Sequence, residues 1–295
     1  MNKFLINING EIFNEETAKI SIFDRGFLYG DSVYEATRTF NRITFRINQH
    51  LDRLFASALK IEMIPTLSSL EILKAIEQTV EASPHQNTSL RIILTRGTNS
   101  DLGLDPQLSS SNNLIIISKA ILPNPAWWLS LGLSMVFYHK KLSKDKGSLS
   151  KSGNYQDNIL AYKEALRKKA YDAIMINHEG HVTEGTTSNI WMVKDGIIYT
   201  PPLQDGVLSG LTRQNLFEMS KSNKGTIKQK FVIEEKSLTK NDLLSADECF
   251  ISSTTRNLVP VTKIEGQAIG DGAPGKMTLM LLDAYLEFVG LQLNF

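Results

Sequence analysis

The chain has 295 residues, with 32 Lys and Arg against 31 Asp and Glu, a formal net charge of +1 and 42% hydrophobic residues. This composition suits one large core or two domains and offers no basic excess to hold a nucleic-acid backbone or an anionic membrane. Cys249 is the only cysteine, which excludes an intrachain disulfide and a thiolate metal cluster and fits a reducing, cytoplasmic setting.

At the N-terminus, MNKFLINING holds an apolar run too short for a signal peptide, and no later stretch has the length of a membrane span. Phe4 to Ile8 and Glu11 to Phe13 flank Asn9-Gly10, which predicts a β-hairpin. Leu51, Leu54, Phe55, Ala58 and Leu59 recur at helical spacing, as do Leu70, Leu73, Ile76 and Val80, and two amphipathic helices are expected. Leu90 to Thr95 reads as a strand, and Leu114 to Ile117, apolar without alternation, as a strand buried on both faces. These elements complete a small α/β unit, and Leu122-Pro123-Asn124-Pro125 follows as a linker because each proline removes a donor and biases its predecessor away from helix.

Beyond the linker, strands are expected at Leu133 to Tyr138, Ala173 to Ile176, Ile190 to Val193, Ile197 to Tyr199, Cys249 to Ser252 and Val259 to Ile264. They alternate with helices near Tyr155 to Ala170, Thr212 to Ser220 and Thr278 to Val289, the pattern of a second α/β domain. The polar stretch from Leu142 to Ser152 reads as an active-site loop.

Three separated segments carry the chemistry: KSGNYQDNILAYKEA from Lys151, EGTTSNIWMVKDG from Glu184, and TPPLQDGVLSGLTR from Thr200. In that order they offer an amine to bond an aldehyde, a carboxylate for a pyridine nitrogen, and a glycine-turned helix start for a phosphate, the requirements of a pyridoxal 5'-phosphate site. Ile159, Tyr162, Leu166 and Ala170 follow helical spacing and are expected to pack inward, holding Lys151 at a fixed helix entrance.

On these motifs the chain resembles the class IV aminotransferases of pyridoxal-phosphate fold type IV, from about residue 4 to about residue 285. That family includes branched-chain aminotransferases, D-amino-acid transaminases and aminodeoxychorismate lyases. The resemblance implies a two-domain α/β fold: a small N-terminal α/β domain over 1–121, a linker over 122–128, and a larger C-terminal α/β pseudobarrel domain over 129–295 that binds the cofactor.

Residue by residue, the resemblance implies that Lys151 of the KSGNY element carries the cofactor and shuttles the α-proton, for which its amine must be neutral. Lys140, Lys141, Lys144 and Lys146 precede no Asn-Tyr pair at that spacing. Tyr155 resembles the tyrosine bonded to the phenolic oxygen, and Glu184 the acid that keeps the pyridine nitrogen protonated. Leu208 matches the leucine against the ring. The phosphate falls to Arg53, to Leu211 and Thr212 at a helix start, and to Ser253 and Thr254. For the substrate, the segment RGFLYGDSVYEATRTF supplies Tyr29, Tyr34 and Arg38, with Glu35 as a shared acid; Arg91, Thr254 and Thr255 are the other candidates.

The resemblance further implies a homodimer acting on amino acids and 2-oxo acids. Asp101 and Gly103 stand where D-amino-acid transaminases place an arginine and a histidine, and Ser89 stands where a branched-chain enzyme has tyrosine. The expected activity is amino transfer from an aliphatic L-amino acid to 2-oxoglutarate. The alternatives are the lyase, the D-amino-acid transaminase, and a non-enzymatic carrier of the cofactor.

Three other signals are weaker. Gly270 to Gly275 satisfies GxGxxG, yet too little chain follows for a βαβ unit. His178 and His181 straddle a turn without further ligands at metal spacing, and Trp127-Trp128 reads as packing.

Overall fold

Asn9 and Gly10 both take left-handed backbone, φ 53° and 93°. They fold β1 (Phe4–Ile8) onto β2 (Glu11–Asn14) through the expected two-residue turn. The computed structural model describes residues 4–141, 150–221 and 231–293. Within it the chain divides into two units, Met1–Leu122 with Ser150–Asn154, and Pro123–Leu149 with Tyr155–Phe295. Lys144, Lys146 and the expected loop up to Leu149 lie outside the described residues.

In the first unit, α1 (Arg25–Tyr29) precedes β3 (Ser32–Phe40) and β4 (Ile43–Thr44). Two longer helices, α2 (Ile47–Lys60) and α3 (Ser69–Ala82), lead into β5 (Thr88–Thr95) and β6 (Asn113–Ala120). The six strands pair antiparallel in the order β2-β1-β6-β5-β3-β4. Alternate residues on one face, Val33, Leu90, Ile92, Leu94, Leu114 and Ile116, pack with Leu51, Leu54, Ala58, Ile72, Ile76 and Val80 of the two helices. A capping box between Ser68 and Glu71 starts α3. Leu59 and Leu70, expected on the apolar faces, are instead 61% and 60% exposed, because the helices bury the neighbouring Ala58 and Ile72 against the sheet.

The expectation of an unbroken C-terminal domain from residue 129 is corrected at Ser150–Asn154, which belongs to the first unit. Backbone pairing is the reason: Tyr34 N donates to the Lys151 carbonyl at 2.9 Å and Gly153 N to the Ser32 carbonyl at 2.9 Å. Sequence periodicity cannot register a five-residue return of this kind.

The second unit begins with the short α4 (Trp127–Ser130), whose Trp128 packs edge-on against Tyr171 at 5.3 Å. The strands are β7 (Leu133–His139), β8 (Asp172–Ile176), β9 (Val182–Gly185), β10 (Asn189–Lys194), β11 (Ile197–Thr200), β12 (Val232–Glu235), β13 (Glu248–Ser253), β14 (Asn257–Ile264) and β15 (Gln267–Ala268). Six of them close a circuit, β10-β13-β14-β7-β8-β9 and back to β10 through the pairing of Glu184 with Asn189. Alternate side chains such as Met135, Phe137, Ile174, Ile190, Ile251 and Val259 form one core, as the interior of a small barrel requires.

Outside the barrel, α5 (Gln156–Arg167) lays Ala161 and Ala165 on Val136, Tyr138, Ala173 and Met175. Ala170, just past the helix, joins that cluster as expected, but the rest of the expected inward face is corrected. Ile159, Tyr162 and Leu166 are 60%, 46% and 57% exposed, because the small alanines allow the closer approach to the sheet and turn the bulkier residues outward. After α6 (Leu211–Lys221) and α7 (Lys240–Leu244), the glycine-rich Gly270–Gly275 leads into α8 (Lys276–Leu293). Glu248 accepts from the first amides of α8, at Met277 and Thr278.

Candidate active site

Lys151 lies on the short segment that pairs with the start of β3. Its own amide donates to Ser57 Oγ of α2 at 3.2 Å, and its Nζ donates to Tyr34 OH at 3.0 Å. The side chain is half-buried, with Nζ also 4.3 Å from the centroid of the Tyr34 ring. On the same ring sits the Arg91 guanidinium, 4.1 Å from the centroid. A side chain at Gly30 would meet Asn154 Oδ1 at 2.5 Å, so the turn into β3 approaches the lysine segment too closely for any residue but glycine.

Arg38 stands on β3 two residues beyond Ala36, and Ala36 pairs with Arg91 of β5. Residues two apart on a strand share a face, so Tyr34, Arg38 and Arg91 occupy one side of the sheet. Tyr29 does not join them through its hydroxyl, which donates to the Leu102 carbonyl at 2.6 Å.

On the opposite side, Glu35 is fully buried between two residues of α2. Arg53 donates to Oε1 through Nε and to Oε2 through a terminal nitrogen, both at 2.7 Å, and His50 Nδ1 lies 2.7 Å from the same Oε2. Burial by itself would raise the Glu35 pKa, but the Arg53 charge and hydrogen bonds, with the His50 bond, hold it at about 2. His50 is pushed below its ordinary value chiefly by burial, so the ring is neutral and donates through Nδ1. Its buried Nε2 then needs no acceptor, whereas a second ring proton there would have none.

His50 and Ser57 were not among the site residues anticipated from sequence. The signal was present: His50, Arg53 and Ser57 recur at i, i+3 and i+7 and form a polar stripe beside the apolar one.

In the second unit Glu184 sits on β9, where the barrel closes. Its Oε2 accepts from the Leu208 amide at 3.1 Å, while the Leu208 carbonyl accepts from Asn189 Nδ2 at 2.9 Å. The turn between Glu184 and Asn189 is held from two directions. Asp172 accepts from Thr186 Oγ1 at 2.6 Å, and Arg256 donates to the carbonyl and hydroxyl of Thr187 at 2.8 and 2.7 Å. Burial raises the Asp172 carboxyl above its ordinary value, against the hydrogen bonds it accepts.

Gly210 ends the approach to α6: a Cβ there would lie 2.0 Å from Asn189 Oδ1. Leu211 and Thr212 follow in the first turn of α6, both buried, and Thr212 Oγ1 has no hydrogen-bond partner among the described residues. The first amides of a helix have no acceptor within it. A buried hydroxyl and helix-start amides together suit a phosphate, so the residues present fit a phosphate-bearing cofactor. Asn189 pairs with Ser252, which brings the end of β13 into the same row as Glu184. Ser253 Oγ accepts from Arg256 Nε at 3.1 Å, and Thr254 and Thr255 are half-buried in the turn that follows. Tyr155, half-buried, is the N-terminal boundary residue of α5.

The sequence profile of Amino-transferase class IV matches residues 32–264. A Methanocaldococcus jannaschii protein provisionally named branched-chain-amino-acid aminotransferase is 32% identical over 284 residues, covering 96% of this chain and 95% of that protein. The D-alanine aminotransferase of Bacillus licheniformis is also 32% identical, over 92% of each chain. Among solved structures, the branched-chain amino acid aminotransferase of Escherichia coli superposes with a TM-score of 0.87 at 26% identity, covering 96% of this chain and 93% of that one. The T.th. branched-chain amino acid aminotransferase with pyridoxamine 5'-phosphate gives a TM-score of 0.87 at 26% identity, over 98% of this chain and 94% of that one.

Proposed function

The chain belongs to the class IV aminotransferases, enzymes that use pyridoxal phosphate, and on that premise we propose that it carries this cofactor on Lys151 and transfers an amino group from an aliphatic L-amino acid to 2-oxoglutarate. The observation that carries the reading is the Lys151 amine, fixed at 3.0 Å from Tyr34 OH on a backbone-paired segment. When bound, the cofactor supplies an electron sink for the carbanion left by loss of the α-proton.

Lys151 Nζ takes that proton and returns it, and Tyr34 orients the amine. The Glu184 carboxylate holds a proton on the pyridine nitrogen, itself held in place by the Leu208 amide. Leu208 would lie against the ring and Tyr155 would bond the phenolic oxygen. Thr212, the amides of Leu211 and Thr212, Ser253, Thr254 and Arg53 would hold the phosphate.

Arg38 and Arg91, on one face with Tyr34, and the amides at Thr254 and Thr255 receive substrate carboxylates. Two arginines on that face favour a dicarboxylic acceptor such as 2-oxoglutarate. Tyr29 enters indirectly, through the loop that its hydroxyl holds. The working enzyme is a homodimer in the cytoplasm, a setting with which a single buried cysteine, Cys249, accords.

A second reading, D-amino-acid transfer, is favoured by the 32% identity to D-alanine aminotransferase. Against it stand Asp101 and Gly103, a carboxylate and a glycine where that specificity uses cationic side chains. Purified enzyme given L-leucine, D-alanine or aminodeoxychorismate distinguishes the readings. L-leucine is expected to aminate the cofactor fastest, with reversal by 2-oxoglutarate. A faster reaction with D-alanine overturns the stereochemical assignment, and pyruvate release from aminodeoxychorismate without amination of the cofactor replaces transfer by lysis.

A further inference from the structure

Arg25 is 5% exposed, yet it belongs to none of the hydrophobic clusters. Its Nε donates to Asp31 Oδ2 at 2.8 Å. One terminal nitrogen donates to Asn99 Oδ1 at 3.2 Å and to the carbonyls of Gly103 and Asp105 at 3.4 and 3.2 Å; the other donates to the Leu104 carbonyl at 3.1 Å. With Tyr29 OH on Leu102, the four consecutive carbonyls 102 to 105 all accept from side chains of α1. One cation and one hydroxyl thus bind four successive carbonyls of an irregular loop, which Asn99 Nδ2 also ties at the Gly103 carbonyl at 3.1 Å.

Asp31 links this loop to the lysine. It also accepts from Arg96 Nε at 2.7 Å, and Arg96 donates to the Ile61 and Glu62 carbonyls just after α2. The next residue, Ser32, accepts from Gly153 N, and Tyr34 accepts from Lys151 Nζ. The carboxylate that fixes Arg25 therefore stands at the root of the strand on which Lys151 rests.

We infer that Arg25 is a positioning residue that couples the order of the 99–105 loop to the placement of the Lys151 segment through Asp31. The activity readout below rests on Lys151 being the cofactor-bearing lysine; the exchange readout does not. A charged hydrogen bond lost from a buried site is worth enough to change a local opening equilibrium tenfold or more. In cofactor-loaded Arg25→Met, amide exchange is expected to accelerate about tenfold or more at 100–105 and also at 151–154, with α3 and β6 unchanged. Turnover should fall about tenfold while KM changes less, and millimolar guanidinium should restore both exchange and turnover.

If exchange rises at 100–105 while 151–154 stays protected, the coupling is refuted. Should Arg25→Met not fold, Tyr29→Phe removes only the Leu102 contact. It should produce the same paired acceleration to a smaller degree, and acceleration confined to the loop again refutes the coupling. Paired acceleration with unaltered turnover would support the coupling and refute Lys151 as the reactive amine, which keeps the two assignments separable.

Discussion

The Leu208 amide donates to Glu184 Oε2 at 3.1 Å, tying the acid on β9 to the turn that leads into α6. Asn189 completes the link from the other side by donating to the Leu208 carbonyl. On the proposed reading Glu184 has two separable duties, one of charge toward the pyridine nitrogen and one of anchorage through the Leu208 amide. Glu184→Gln keeps an acceptor for Leu208 and removes the charge, whereas Glu184→Ala removes both. The glutamine variant should retain cofactor and slow α-proton removal by orders of magnitude, each ~1.4 kcal/mol lost from the transition state costing tenfold. The alanine variant should in addition bind phosphate less tightly. Stopped-flow single turnover measures the first effect, and near-normal deprotonation in Glu184→Gln would refute the role given to the charge.

Gly210→Ala should weaken retention of pyridoxal phosphate about tenfold or more without unfolding the chain, since the new methyl must displace Asn189 Oδ1 from 2.0 Å and with it the start of α6. Combining it with Asn189→Gly, which removes the obstacle, should recover part of the affinity. Dissociation constants for pyridoxal phosphate and pyridoxal provide the check; a loss equal for both ligands would place the effect away from the phosphate.

Removing Arg53 leaves the fully buried Glu35 without its main partner, so Arg53→Ala should cost about 3–5 kcal/mol of stability as well as phosphate affinity. Glu35→Gln in the same chain should restore most of the stability by removing the stranded charge, but not the preference for pyridoxal phosphate over pyridoxal. Thermal denaturation and ligand titration of the single and double variants separate the two effects. Recovery of both would make Arg53 purely structural.

The same cluster sets an acid limit. The folded-state Glu35 pKa of about 2 lies below the ordinary 4.5, so its stabilisation is complete above about pH 5 and is lost as pH falls from there toward 2. His50, lowered and neutral when folded, adds a loss in the same direction that begins as pH falls through 6.5, where the unfolded chain takes up a proton that the folded one refuses. Stability should therefore decline from about pH 6.5 downward and more steeply below 5. In denaturant titrations from mildly alkaline to acid pH, Glu35→Gln should flatten the lower part of that decline, and an unchanged slope would count against the assignment.

Much of this architecture was legible because its signals are local. Asn9-Gly10 defines a turn whatever surrounds it, and Leu51, Leu54 and Ala58 need only helical spacing to mark a buried face. The motifs around Lys151, Glu184 and Leu208 stood out through their resemblance to those of the family, and two of them meet in the bond from the Leu208 amide to Glu184. What escaped depends on partners distant in sequence. The apolar residues of α5 face outward because Ala161 and Ala165 fit the sheet more closely, a choice made by β7 and β8. Ser150–Asn154 joins the first unit through pairing with residues more than a hundred positions earlier. The His50–Glu35 bond crosses from helix to strand, so neither segment alone announces it.

Barrel closure at Glu184 and Asn189 has a consequence for assembly during synthesis. Those two residues are close in the chain, but the circuit they complete includes β14, which pairs alongside β7 from well over a hundred residues downstream. A growing chain that has already exposed Glu184 and the start of α6 still lacks β13 and β14, which complete the barrel around them, until about residue 264 has left the ribosome. Until then the unpaired margins of β7 and β10 are open to wrong partners, so shielding of those margins by a chaperone should matter most in that interval.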